Sequence, residues 1–147
     1  MQSKILLQQN FEIKGGDFIN AGESSIKIRN ILKDIGIDSD IIRRVAIVAY
    51  EAEMNVVMYA RHGKMHLYVY SNKILLKIED RGQGIKDIDL AMQPGYSTAT
   101  EEMREMGFGA GMGLPNIKKN SDVFNINSTI REGTKLEIKI NLNNKNG

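Results

Sequence analysis

From Asp38 through Ala60 the apolar residues Ile41, Val45, Val48, Ala52, Val56 and Tyr59 follow one another at steps of three or four. That spacing returns each side chain to one side of an α-helix, so the stretch predicts a single long helix with a continuous buried stripe. Asp38 or Ser39 can cap its start and Gly63 can end it. Such a helix needs a broad apolar surface to lie on. MHLYVY (65–70), a turn at Ser71-Asn72 and KILLKIED (73–80) read as a hairpin that offers one. DVFNINSTI and TKLEIKINL, around Glu132-Gly133, read as a second hairpin.

Around this frame, ILLQQNFEI (5–13) suits an opening strand that ends at Gly15-Gly16-Asp17. Residues 19–35 read as a helix, with Ala21, Ile28, Ile31, Leu32 and Ile35 near helical spacing and Gly36 closing it. Pro115 suits the first turn of a short helix over 115–119 or so, where its missing N–H is not needed. The order β-α-α-β-β-loop-α-β-β does not alternate strand with helix, which argues against a doubly wound parallel sheet. It predicts an α/β two-layer sandwich: a mixed, largely antiparallel sheet with helices on one face. At 147 residues one domain over 1–147 is the simplest reading, with 143–147 as a frayed tail.

A formal net charge of +2 is too small to draw the chain to nucleic acid or a membrane surface. The absence of cysteine excludes disulfides and cysteine-ligated zinc. No stretch approaches the roughly 20 apolar residues of a membrane span, and the N-terminal apolar run is too short for a signal peptide, so a cytoplasmic protein is expected.

Three polar stretches could carry chemistry. The first is GFGAGMGL, with Gly107, Gly109, Gly111 and Gly113 at alternate positions. Such a run is costly to order, so it suits either a flexible hinge or a loop whose backbone must approach a ligand closely. It is not a dinucleotide fingerprint, because Met112 or Leu114 falls where the last glycine belongs, and it lacks the Gly-Lys-Ser/Thr of a P-loop. Glycine-rich backbone leading into a helix start is nonetheless a good anion site. The second is IEDRGQGI (78–85), where a strand delivers Asp80 and Gly82 and Gly84 let the chain turn sharply beneath it. A partly buried carboxylate there needs a donor, which a purine amino group or the local backbone could supply.

The third is YEAEMN (50–55). Glu51 and Asn55 are four apart and share a helix face with Arg44, Met58 and His62, whereas Glu53 lies roughly 200° around from Glu51. A carboxylate beside a carboxamide offers a proton acceptor and a neutral oxygen for a hard cation; the plain alternative is a solvated polar edge. His62 and His66 read as surface residues rather than phosphoacceptors.

Taken in order, E-x-x-x-N on a long helix, D-x-G-x-G after a strand, a long loop and G-x-G-x-G at a helix start resemble the GHKL ATPase superfamily, from about residue 5 to 142. The size resembles the stand-alone serine/threonine kinases of bacterial partner-switching systems. DRGQGIKDIDLAMQPGYST looks more like their switch-kinase branch than the anti-sigma branch. The resemblance implies a Bergerat ATP-binding fold using ATP or ADP with Mg²⁺. Adenine would lie against Asp80 with Gly82 and Gly84 beneath, and Thr134 would reach it through a water. Asn55 would contribute to Mg²⁺, and the Gly107–Gly113 run would close over the phosphates. Arg104 would contact the γ-phosphate, although EMGFGA between it and the last glycine pair makes this lid longer than in the anti-sigma kinases. Glu51 would be the base, taking the proton of a substrate Ser or Thr hydroxyl. The implied partner is a small regulatory protein, with a sigma factor or its regulator as a further partner and homodimers known among relatives. A nucleotide-gated binding switch without phosphoryl transfer is the alternative.

Overall fold

In the computed structural model, which describes residues 4–93 and 113–142, the chain opens on strand β1 (Ile5–Lys14) and passes into helices α1 (Glu23–Asp34) and α2 (Ser39–Tyr59). Strands β2 (Ala60–Tyr70) and β3 (Lys73–Gly82) form the first hairpin. A short helix α3 (Ile88–Ala91) follows, then α4 (Gly113–Asn120), β4 (Val123–Thr129) and β5 (Gly133–Asn141). The strands form one sheet in the order β1-β2-β3-β5-β4, and each of these pairings is antiparallel. The expected two-layer sandwich is what the chain builds.

The period-two pattern of the strands places Met65, Leu67, Val69, Ile74, Leu76, Ile78, Ile138 and Ile140 in the core, each at most 2% exposed. Helix α2 lies across β1, β2 and β3 and packs against both α1 and α4. Its stripe of Ile41, Val45, Val48, Ala52 and Val56 is buried as the periodicity requires, while Tyr59 at its end is only partly buried, and Ala49, Met54 and Val57 are buried as well. The buried face is wider than one stripe because α2 is wedged between two helices as well as against the sheet.

Two boundaries and one cap differ from the sequence expectation. Helix α1 begins at Glu23 rather than near residue 19. Asp17 accepts hydrogen bonds from the backbone N–H and the side-chain amide of Asn20, and Gly22 sits at φ 100, so the preceding chain is a turn. Helix α2 stops at Tyr59, and Ala60 is already extended and paired with Gly82. Gly63 therefore does not end the helix; it lies within β2, where a Cβ would come 2.9 Å from Val56 Cγ1 and 3.0 Å from the Glu79 carbonyl. Asp38 occupies the start of α2 without a side-chain cap.

Helix α1 has no side-chain cap of its own. Its start is held by Glu53 of α2, only 3% exposed. The Glu53 carboxylate accepts from the Gly22, Ser24 and Ser25 N–H groups at 3.0, 3.3 and 3.0 Å. A carboxylate satisfying the orphan donors of a helix start also meets the positive end of the helix dipole. Glu53→Gln puts an amide donor against those donors. Since a mispaired buried group costs about 2 kcal/mol, the melting temperature should fall by about 5 °C. Thermal unfolding followed by circular dichroism would show it, and an unchanged midpoint would refute this account of the α1 start.

Candidate functional site

The two ends of the candidate site come from different parts of the sheet–helix sandwich. Asp80 lies near the end of β3, paired with Gly63. Its Oδ1 accepts a hydrogen bond from the Thr134 backbone N–H at 3.1 Å. Burial pushes the Asp80 carboxyl above the ordinary 3.8, while the Thr134 bond pulls against that rise. The close passage of β5 depends on Gly133, at φ 135, where a Cβ would overlap the Asp80 carbonyl oxygen. Gly84, at φ 76, likewise leaves room for the Thr129 carbonyl. Beside them the Thr134 and Ser128 hydroxyls are 2.8 Å apart, and Ser128 Oγ also accepts from the Ile85 N–H at 2.7 Å. A half-buried acceptor, a hydroxyl pair and two tight glycine passages therefore share one corner of the sheet.

The second end is on α2. Glu51 and Asn55 lie one turn apart and are both partly buried. The first residue of α4, Gly113, stands directly over them. A Cβ there would sit 3.3 Å from both Glu51 Oε2 and Asn55 Oδ1. Burial raises the Glu51 carboxyl above its ordinary 4.5, and a hydrogen bond from the Asn116 side chain opposes the rise. Gly82 links the two ends: a Cβ on it would come 2.9 Å from the Tyr59 carbonyl, so β3 finishes against the end of α2, one turn beyond Asn55.

Of the expected site residues, Glu51, Asn55, Asp80, Gly82, Gly84, Gly113 and Thr134 are brought to these two ends. Arg104, Gly107, Gly109 and Gly111, with Ser97, Thr98 and Thr100, lie outside the described residues. His62 does not share the Glu51 face, because it belongs to β2 and pairs with Lys14 and Arg81. His66 is in the same strand and meets Asn10 Oδ1 at 2.8 Å. Ser128, Gly133 and Asn116 are not among the site residues expected from the sequence. Gly133 was visible as a turn glycine and Asn116 as a polar residue one turn into a glycine-led helix. Ser128 gave no signal, since its role depends on the β4–β5 register.

Among the described residues no group of three or more His, Cys, Asp or Glu side chains could hold a metal, and no helix is long and apolar enough to cross a membrane. A hard cation beside Asn55 would draw the rest of its oxygen shell from nucleotide phosphates and water. The space left by the absent Gly113 Cβ, faced by one carboxamide and one carboxylate, fits that demand.

The Histidine kinase-like ATPase domain family matches residues 25–140. The chain belongs to that family. For a histidine kinase-like ATPase domain the use of a nucleotide follows from membership. Serine/threonine-protein kinase RsbT of Bacillus subtilis (strain 168) is 34% identical over 113 residues, covering 74% of this chain and 79% of RsbT. An anti-sigma F factor of Caldanaerobacter subterraneus subsp. tengcongensis is 34% identical over 89 residues, covering 57% of this chain and 59% of its own. Among solved structures, a chain of the SiaB–SiaC complex from Pseudomonas aeruginosa superimposes with a TM-score of 0.58 at 15% identity, covering 94% of this chain and 90% of that one. The last likeness is one of fold, and it agrees with the open antiparallel sheet described above.

Proposed function

We propose that this histidine kinase-like ATPase domain is a protein serine/threonine kinase that moves the γ-phosphoryl group of Mg-ATP to a small regulatory protein of a partner-switching system. The observation that carries the proposal is the Glu51–Asn55 pair under the glycine that opens α4, with the Glu51 carboxyl pushed up by burial. A carboxylate of raised pKa, close to the phosphate-binding end of the site, suits acceptance of a hydroxyl proton. In the transfer, the substrate oxygen forms a bond to the γ-phosphorus while the bond to the β–γ bridging oxygen breaks and ADP leaves. The proton of the hydroxyl goes to Glu51. Asn55 would give its carboxamide oxygen to Mg²⁺, which when bound neutralises phosphate charge. Asp80 would accept from the adenine amino group, and Thr134, paired with Ser128, would reach the base through a water. Arg104 and the glycines 107, 109 and 111 are proposed to serve the phosphates.

Similarity to the serine/threonine kinase RsbT favours the kinase. Similarity to anti-sigma F factors makes a sigma factor or its regulator a further class of partner; a homodimer is proposed separately, to be looked for by sedimentation. The proposed location is the cytoplasm, where ATP is supplied. To test the proposal, γ-labelled Mg-ATP and purified protein are added to a lysate of the source cells. A small protein labelled on Ser or Thr is the expected result. Release of inorganic phosphate alone would point to an ATPase, and binding of Mg-ATP with no transfer would point to a nucleotide-gated switch; either defeats the kinase.

A further inference from the structure

We propose that the solvent face of the sheet around Leu75 is a docking surface for an acidic helix of a partner protein. Alternation along a strand sends every second side chain to the face away from the helices, where water calls for polar residues. Leu75 breaks that rule. It lies between Tyr68 on β2 and Lys139 on β5, its partners across the sheet. It is only 8% exposed, yet it stands outside the cluster that packs between sheet and helices. What covers it is therefore on its own face. Lys73 and Lys77 are its neighbours two positions away in β3, and both, like Tyr68 and Lys139, are partly buried.

Two of these lysines are held over aromatic rings. Lys73 Nζ lies over Tyr70, 4.9 Å from the ring centroid, and Lys77 Nζ lies over Tyr68 at 5.8 Å. His66 stacks on the same Tyr68 ring at 6.5 Å. A lysine stem laid on apolar surface shields it while the ammonium stays in water, and an aromatic face beneath keeps that charge in place. Glu137 is directly opposite Lys77. Even so, the ion pairs among the described residues are Arg44–Asp122 and Lys64–Glu12. Lys73, Lys77 and Lys139 thus frame one buried leucine, and no carboxylate neutralises them. Side chains ordered in advance lose less freedom when an anion arrives.

Charge complementarity selects the occupant. Lys73 and Lys77 are about 13 Å apart along β3, at roughly 3.3 Å per residue. On an α-helix, carboxylates at i and i+7 share one side about 10 Å apart, with residue i+4 between them. The long Lys and Glu side chains take up the difference. A helix laid along β3 therefore sets an acidic side chain over each lysine and a small apolar one over Leu75, with Lys139 beside it. A second copy of this chain would bring these lysines against themselves, and like charges repel. Nucleic-acid bases stack on open aromatic faces, but the Tyr68 and Tyr70 rings are covered by their own lysines. The surface is on the far side of the sheet from α2 and its Glu51–Asn55 pair, so it stands independently of the kinase reading.

The test is an amide chemical-shift titration of the full, isotope-labelled chain with a synthetic helical peptide bearing Glu, Ala and Glu at i, i+4 and i+7. A counterpart peptide has glutamine in place of each glutamate. The acidic peptide should shift the amides around Tyr68, Leu75 and Lys139, and the neutral one should bind at least about fivefold more weakly. Lys73→Glu, Lys77→Glu and Lys139→Glu should each weaken the acidic peptide by about threefold to tenfold. Lys33→Glu, the same charge change on the exposed surface of α1, should leave binding within about twofold. Circular dichroism melts verify folding, and Lys77→Gln covers the case in which a charge reversal does not fold. No binding, equal binding of the two peptides, or equal weakening by Lys33→Glu would each overturn the docking surface. So would oligo(dT) or phosphatidylserine vesicles that bind this face more tightly than the acidic peptide, or a dimer in sedimentation that the lysine reversals dissolve.

Discussion

Glu51→Gln is expected to slow phosphoryl transfer by about 100-fold to 10,000-fold, the range for loss of a general base, while ADP affinity stays unchanged. The substitution keeps the length of the side chain and one of its oxygens, so the packing of this partly buried position on α2 is preserved. What it removes is the capacity to take a proton. Single-turnover transfer and ADP titration calorimetry, run on one preparation, separate the two quantities. A variant that still transfers within about tenfold of wild type would put the base elsewhere. One that also loses ADP would make Glu51 a binding group. Wild type should show a matching signature in its pH profile. Because burial raises the Glu51 carboxyl, the acid limb of kcat should lie above 4.5, with activity lost as the carboxylate is protonated.

Asp80→Asn should weaken ADP binding by about 100-fold and at the same time raise the melting temperature of the nucleotide-free protein at neutral pH. Asp80 Oδ1 is engaged by the Thr134 N–H. If an asparagine keeps that bond, its NH₂ group replaces the outer oxygen, and a purine amino group then faces a donor instead of an acceptor. A lost charged hydrogen bond with a mispaired donor is worth about 3 kcal/mol, hence the expected loss in affinity. The stability effect has the opposite sign. Burial holds the Asp80 carboxyl above 3.8, so the fold favours its protonated form. That contribution is fully present below the unfolded pKa and is lost as pH rises through the folded one. At pH 7 the wild type carries an ionised, half-buried carboxylate that the amide does not. Melts at pH 7 and near pH 4 should therefore show a gain that shrinks on acidification. A variant of unchanged ADP affinity would remove Asp80 from the adenine end of the site.

Residues whose role follows from local spacing were legible in the sequence. The α2 stripe, both hairpins, the E-x-x-x-N pair and the D-x-G-x-G turn all depend on neighbours within a few positions. Roles set by distant partners were not. Glu53 looked like one more polar residue on a long helix, since its three donors lie 28 to 31 positions away. Gly63 looked like a helix terminator because a glycine soon after an apolar stripe usually is one. Only the pairing of Ala60 with Gly82 shows that strand had already begun. The α1 start lies later than apolar spacing suggests because Asp17 and Asn20 form a local turn that such spacing does not register.

The β3–β5 pairing has a consequence for how the protein is made. Asp80 meets its partner Thr134 across 54 residues of chain, and β5 is the last strand in sequence. During synthesis the N-terminal elements emerge first, so the hairpin carrying Asp80 leaves the ribosome well before the segment that completes its surroundings. Cellular ATP cannot act as a folding template for the partial chain, because ligand stabilises only a state that already binds it. On the site proposed above, nucleotide rewards only the chain in which β5 has paired, and a variant that slows docking of the final hairpin at a position away from Ser128 and Thr134 should prolong exposure of the nascent chain to chaperones and proteases.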